Sequence, residues 1–286
     1  MRTNFLLTLI LSLFLVSNSF ASQFNYGSEF AAISANAHKA LINALEKSGD
    51  RIFGVGVHGI IIYSDDKGES WTQAETVPFT KTLTDISCPS QNKCWAVGHD
   101  ATILHSFDGG KSWEIQYQDA DFDAPFLSIH MYDDYEGVAI GAFALSLRTA
   151  NGGISWDYRD APQEIQAKKI IDVEFYSLIR AYAITDEGNI IKSAKQGETD
   201  VGFIWELIEI ESENDSTSLG AELNAIEVLS TNKLLLSGPG GFLAISKDGG
   251  NIVSSQIIPV TNETNFTSFA MLDNFHGVVV WSNGVI

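Results

Sequence analysis

Several residues of this chain have the types and spacing that chemistry uses. Asp119, Asp121 and Asp123 alternate in QDADFDAPF (118–126), as carboxylates around calcium do. A calcium loop of that kind needs glycine at its sixth position and a glutamate at its twelfth. Here those positions hold Ala124 and His130, which argues against a metal. His99 and His105 stand six residues apart, but zinc takes about four ligands, so two histidines alone do not make a site. Cys88 and Cys94 are the only cysteines, with Pro89 and Asn92 as turn formers between them. In an exported chain this spacing reads as a disulfide that closes a hairpin end. There is no glycine-rich phosphate loop, no G-x-S-x-G elbow and no H-E-x-x-H zinc helix. No metal and no cofactor is expected.

The elements that position these residues repeat. Ser64-Asp-Asp-Lys-Gly-Glu-Ser-Trp71 matches Ser106-Phe-Asp-Gly-Gly-Lys-Ser-Trp113, and Thr149-Ala-Asn-Gly-Gly-Ile-Ser-Trp156 is a third copy. A worn fourth runs from Ser193 to Asp200, and a fifth, Ser246-Lys-Asp-Gly-Gly, keeps the first half. The leading residues are spaced by 42, 43, 44 and 53 positions, the last step holding a polar run at 211–218 that reads as an inserted loop. A period in the low forties with strand-like content points to propeller blades. Eight residues before each leading Ser or Thr stands Gly56, Gly98, Gly141, Thr185 or Gly238. Before it, large Phe53, Val55, Trp95, Val97, Val138 and Ile140 alternate with small Gly54, Ala96 and Ala139, the period of a strand whose small face lets a neighbouring sheet approach. Apolar strands precede (83–87, 127–131, 171–175, 223–228) and follow (60–64, 102–106), and the turn motif leads into another. The prediction is an all-β chain, a β-propeller of four-stranded antiparallel blades, with five full repeats and a partial sixth from Phe266. Aligned on the other repeats, the sixth breaks off in mid-strand at 286, so either residues 23–38 close the ring or the propeller over 39–286 is truncated at its C-terminus; YGSEFAAISANAHK does not read as a convincing strand, which favours truncation.

Each motif residue has a structural use. Gly68, Gly110, Gly153 and Gly250 suit a positive φ. The hydroxyls of Ser64, Ser106, Thr149 and Ser246 and the side chains of Asp66, Asp108, Asn151 and Asp248 can bond backbone N–H groups left open at the turn. Trp71, Trp113 and Trp156 can bury their rings between blades. A motif present once per repeat is a fastener, whereas a catalytic site occurs once.

S-x-D-x-G-x-[ST]-W is the Asp-box, or BNR, motif. With CWAVGHDATILHSFDGGKSW (94–113) and GAFALSLRTANGGISW (141–156), the chain resembles the photosystem II stability/assembly factor family and its relatives in non-photosynthetic bacteria. The resemblance covers about residues 40–286. It implies a seven-bladed, exported, non-enzymatic propeller that assists assembly of a membrane protein complex. Sialidases share the motif and grip a carboxylate with an arginine cluster. Beyond residue 21 this chain has only Arg51, Arg148, Arg159 and Arg180, none in the Phe-Arg-Ile-Pro context of that family. Arg51 and Arg180 open equivalent strands and read as repeat structure. A glycosidase carboxylate pair stays open, because acids are abundant and nothing marks two of them out.

In such a meander the turns between second and third strands share the face opposite the Asp-box turns. That face carries His58, His99, Asp100 and Phe143, with Glu187, Pro239 and the crossover bearing Asp119, Asp121 and Asp123. Propellers commonly bind partners there and in the central channel, so these are the candidate binding residues.

Compartment and charge complete the reading. Arg2, the apolar run 5–16 and small residues at Ser19 and Ala21 form a signal peptide over 1–21, followed by an N-terminal segment at 22–38. The run is short for a bilayer span, so no membrane insertion is expected after cleavage. The chain has 286 residues and a net charge of −19, and a surface of that sign repels nucleic acid and anionic lipid. The expected location is the periplasm, or the thylakoid lumen in a phototroph. The expected partner is protein, within a membrane complex of the cell envelope.

Overall fold

The computed structural model describes residues 30–119, 121–122, 124–159, 168–177, 180–195, 203–208, 211–212, 223–257, 266–271 and 276–281. The signal-peptide reading at 1–21 lies outside them. Among the described residues, six sheets follow one another along the chain. The first sheet is Ile42–Ser48, Arg51–Gly56, Ile61–Ser64 and Thr72–Gln73. The second is Leu83–Ser87, Cys94–Gly98, Thr102–Ser106 and Glu114–Tyr117. The third is Phe126–Met131, Gly137–Gly141, Ser146–Thr149 and Asp157–Tyr158. The fourth is Ile170–Ser177, Arg180–Thr185, Ile190–Lys195 and Phe203–Ile208. The fifth is Ala225–Ser230, Lys233–Ser237, Phe242–Ser246 and Ile252–Ile257, and a hairpin of Phe266–Met271 with Gly277–Trp281 makes the sixth. Each is an antiparallel meander, and the first strand of each packs on the first strand of the next. First strands therefore line an axis and fourth strands lie outermost, which is the propeller arrangement that the repeat predicts.

One segment departs from the sequence reading. Glu211 and Ser212, expected within an inserted loop, pair in parallel with Ile252 and Val253 and give the fifth sheet a fifth, outermost strand. A fourth strand leaves one edge of backbone groups unpaired, and the incoming chain occupies it. The rest of that insert, and positions 196–200 of the worn fourth motif, lie outside the described residues.

The core sits between sheets. Phe53, Val55, Ile61 and Tyr63 of the first sheet pack with Leu83, Ile86, Ala96 and Leu104 of the second. Trp95, Val97 and Ile103 pack with Phe126, Ile129, Ala139 and Leu147. Val138 and Ile140 meet Ala181 and Ala183, and Tyr182 and Ile184 meet Leu234 and Leu236. Through the first four sheets, the second strand turns its large side chains toward the following sheet. From the second sheet to the fourth, its alanines face the preceding one. That is the alternation read from the sequence, and it seals each interface.

The recurring glycine ahead of the turn has a steric cause. A Cβ on Gly56 would lie 2.0 Å from Leu41 O, on Gly98 2.3 Å from Thr82 O, and on Gly141 2.6 Å from Pro125 O. At each place the chain entering the blade crosses against the second strand, and only glycine leaves room.

The motif tryptophans are not equivalent. Trp113 is 5% exposed and packs into the interface of the first two sheets, its indole N–H donating to Gly110 O at 3.0 Å. Trp71 and Trp156 are only half-buried. We predict that Trp113→Ala lowers stability by about 3–5 kcal/mol through the cavity it leaves, and that Trp71→Ala costs less, both read by equilibrium urea unfolding. Cys88 and Cys94 form a disulfide. Its short loop gives about 2 kcal/mol in the chain-entropy model, so urea unfolding with reductant should show a loss of that size, and an unchanged midpoint would contradict it.

Candidate functional site

The Asp-box turns spend their polar groups on themselves. The Ser106 hydroxyl donates to Asp108 Oδ1 (2.9 Å) and accepts from the Gly110 N–H (2.9 Å). Asp108 accepts from the Ser112 N–H (2.9 Å) and hydroxyl (2.6 Å). Ser64, Asp66, Gly68 and Ser70 repeat the pattern, and these hydrogen bonds hold the Asp66 carboxyl down to about 2. Thr149 and Asn151 do the same around Gly153, and Ser246 and Asp248 around Gly250. The four glycines have φ of +91°, +83°, +80° and +102°. Each of three turns is also tied to the hairpin between first and second strands of its own sheet, by Gly109 N–H to Asn92 O, Gly152 N–H to Tyr135 O and Gly249 N–H to Asn232 O. All three bonds are local to one blade.

On the same face, Arg51 clamps two blades. Its guanidinium makes a two-pronged pair with Asp65 (2.7 and 2.8 Å), donates to Gly109 O of the next sheet (2.7 Å) and lies over the Tyr63 ring at 4.3 Å. It lines a cavity of about 290 Å³ with Asp50, Asp108 and Lys111. With its fork engaged, Arg51 is a repeat fastener as its position suggested, and an Arg is suited to it because the planar fork fits a carboxylate.

The residues predicted to bind fall on the opposite face. His58, Asp100 and Phe143 occupy equivalent corners between second and third strands, all in the left-handed region (φ 56°, 56° and 57°), with Gly240 in the fifth sheet at 65°. Holding non-glycine residues there costs roughly 1 kcal/mol each, and such strain gathers where a side chain is displayed. Phe143 is 47% exposed and His58 is exposed. Asp100 is paired with Lys81. His99 is exposed at its turn, while His105 is buried at the far end of the next strand, between the Trp95 and Phe107 rings. Burial pushes His105 down to about 4, so the two histidines share no site. Asp119 Oδ1 accepts from the Asp121 N–H at 3.3 Å, and Asp123 lies outside the described residues. Among the described residues no three His, Cys, Asp or Glu side chains are placed to hold a metal ion.

Sequence reasoning missed the residues around the axis. A cavity of about 310 Å³ is lined by Glu46, Asp85, Ser87, Ser128, His130 and Glu174 from the first strands of four sheets, with Pro89 of the disulfide loop. Side chains of these strands fasten the first sheet to the second, the second to the third and the fourth to the fifth. Glu46 Oε1 accepts from the Cys88 N–H (3.4 Å) and Ser87 Oγ from the Met131 N–H (3.0 Å). Asp85 accepts from the Ile129 N–H (2.9 Å) and the Ser128 hydroxyl (2.7 Å), and Asp172 from the Ile226 N–H (2.9 Å). Asp85 and Asp172 each follow a one-residue bulge, which turns their carboxylates toward the neighbouring sheet. Burial raises Asp85 and Glu46, lifts Asp172 to about 6 and, with the like charges of Glu227, Asp172 and Asp85, pushes Glu174 to about 8. The signal available in sequence was a polar residue at alternate positions of these strands, as in LTDIS (83–87) and IDVEF (171–175).

Comparison with known proteins adds the family. Residues 73–206 match the model for photosynthesis system II assembly factor YCF48. The chain is 24% identical over 237 residues to the photosystem II assembly lipoprotein Ycf48 of Synechococcus sp. (strain CC9902), spanning 81% of this chain and 66% of that relative's length. Among solved structures, the C-terminal WD40 domain of Sif2 superposes with a TM-score of 0.61 at 9% identity, covering 85% of this chain and 65% of that one. The GH74 enzyme of Niastella koreensis gives 0.57 at 15% identity, covering 76% and 38%. These two speak for the fold alone. Repeat, turn chemistry and partial family match together make this chain a β-propeller with Asp-box repeats that is similar to the photosystem II assembly factors.

Proposed function

We propose that this chain is an exported, non-catalytic propeller that binds protein and assists the assembly or stability of a membrane protein complex. The single observation that carries the reading is the match of its central repeats to an assembly-factor family. The fate of the Asp-box residues supports it, since their hydroxyls and carboxylates are consumed in fastening turns. Residues 1–21 act as the signal peptide, and the mature protein works in the periplasm, or in the lumen if the source is a phototroph. No helix among the described residues is long and apolar enough to cross a membrane.

The docking face is the one that displays His58, His99, Asp100 and Phe143. Phe143 is the anchor, because an exposed aromatic ring on a conformationally fixed corner loses little entropy when a partner covers it. A glycoside hydrolase is the second reading. The observation that favours it is Glu174, a carboxyl raised to about 8 beside other carboxyls, as a general acid requires.

Capture from detergent-solubilised native envelope with the immobilised mature protein tests the first reading. Subunits of one membrane complex should be retained, and Phe143→Ala should weaken retention by roughly 5- to 30-fold, as for an interface anchor, with no change in unfolding midpoint. Turnover on a panel of sialosides and other glycans, abolished by Glu174→Gln, would overturn this reading in favour of the enzyme.

A further inference from the structure

The axis carries one carboxyl, Glu174, that neither a structural fastener nor a docking face explains. Asp85 and Asp172 are satisfied by backbone and hydroxyl donors from the sheets beside them. Glu174 is different. It is half-buried, and no described residue gives it a hydrogen bond, although Glu46 and Ser87 at equivalent positions each accept one from the next sheet.

What faces Glu174 is acidic or neutral. Asp172 precedes it on its own strand, Asp85 reaches it from the second sheet and Glu227 from the fifth. Glu46 of the first sheet lines the same cavity. The third sheet contributes His130, whose ring stacks on Phe175 at 5.2 Å and which burial keeps neutral near pH 7. The second strand of the fourth sheet sets Tyr182 across from Glu174, its hydroxyl donating to Thr231 O (3.0 Å). Among the described residues the cavity lining holds no lysine or arginine.

We propose that the axis of this propeller is a proton-operated junction, in which the Glu174 carboxyl holds a proton in the cavity lined by the first strands of the first four sheets and releases it as the surroundings turn alkaline, loosening those sheets. Protonated, Glu174 is neutral and the strands pack around it. Ionised, it adds a fourth like charge to Asp85, Asp172 and Glu227 in a cleft that water reaches only in part, and no cation in the lining compensates it.

The direction follows from linkage. In the unfolded chain Glu174 titrates near the ordinary glutamate value, and in the folded chain near 8. Its contribution is fully present below the unfolded value, and it is lost as pH rises through the folded one. Near pH 7 Glu174 thus gives the folded protein about one proton that the unfolded chain does not hold there, and each such proton changes the unfolding equilibrium by up to about 10-fold per pH unit.

The test is proton release on unfolding. The intact mature protein, in lightly buffered solution at pH 7, is unfolded by urea while released protons are titrated. The wild type should release protons, and Glu174→Gln should release about one fewer per molecule. Stability measured from pH 7 to 8.5, above the range in which the unfolded chain takes up the protons that buried His105 and His130 refuse, should fall with pH in the wild type and flatten in the variant, whereas a purely structural glutamine effect would shift both ends equally. Equal release from both proteins overturns the proposal. If the variant does not fold, a wild-type stability that is flat or rising over that window overturns it as well.

Discussion

The fold depends on one steric match. Each of the first three blades presents large side chains from its second strand to the next blade, which receives them on alanines. Val138 and Ile140 can reach Ala181 and Ala183 only because no larger residue stands there, and Trp95 and Val97 meet Ala139 in the same way. Among the described residues most of the core lies between blades, so stability is largely a sum over interfaces between neighbours, as in repeat proteins generally. The Asp-box turns, the Arg51 clamp and the disulfide hold the blade ends so that these faces stay in register.

That division of labour separates fastening from function. On the Asp-box face, hydroxyl and carboxylate partners are internal, and Arg51 has its donors engaged by Asp65 and Gly109. On the other face the corners display His58 and Phe143 to solvent at a backbone conformation that glycine would adopt more readily. Structural residues repeat from blade to blade, while displayed residues differ at each corner. The equivalent corners therefore carry different side chains, His58, Asp100, Phe143 and Gly240, on one shared backbone conformation.

The sequence exposed the repeat because most blades share the same glycine, the same turn and the same alternation of sizes, and these leave a periodic trace even where the fourth repeat has Thr185 for the glycine. The left-handed corners escaped notice, since only Gly240 advertises a positive φ and His58, Asp100 and Phe143 conceal it. The axial carboxyls escaped for another reason. Their partners are backbone N–H groups about one repeat away, such as Ile129 for Asp85, and a backbone group has no sequence signature. Within LTDIS, Asp85 looks like the polar side of an ordinary strand. Glu211 and Ser212 were hidden because a two-residue strand on an open edge is decided by the edge it finds.

The large-against-small stacking can be tested at Ala139, which is fully buried against Trp95 and Val97. The measurement is the equilibrium unfolding free energy of Ala139→Leu. The account predicts a loss of about 1–3 kcal/mol or more, because the added methylenes must push the second and third sheets apart. An unchanged free energy would mean that this interface has room to spare, and that the blades are held together by something else.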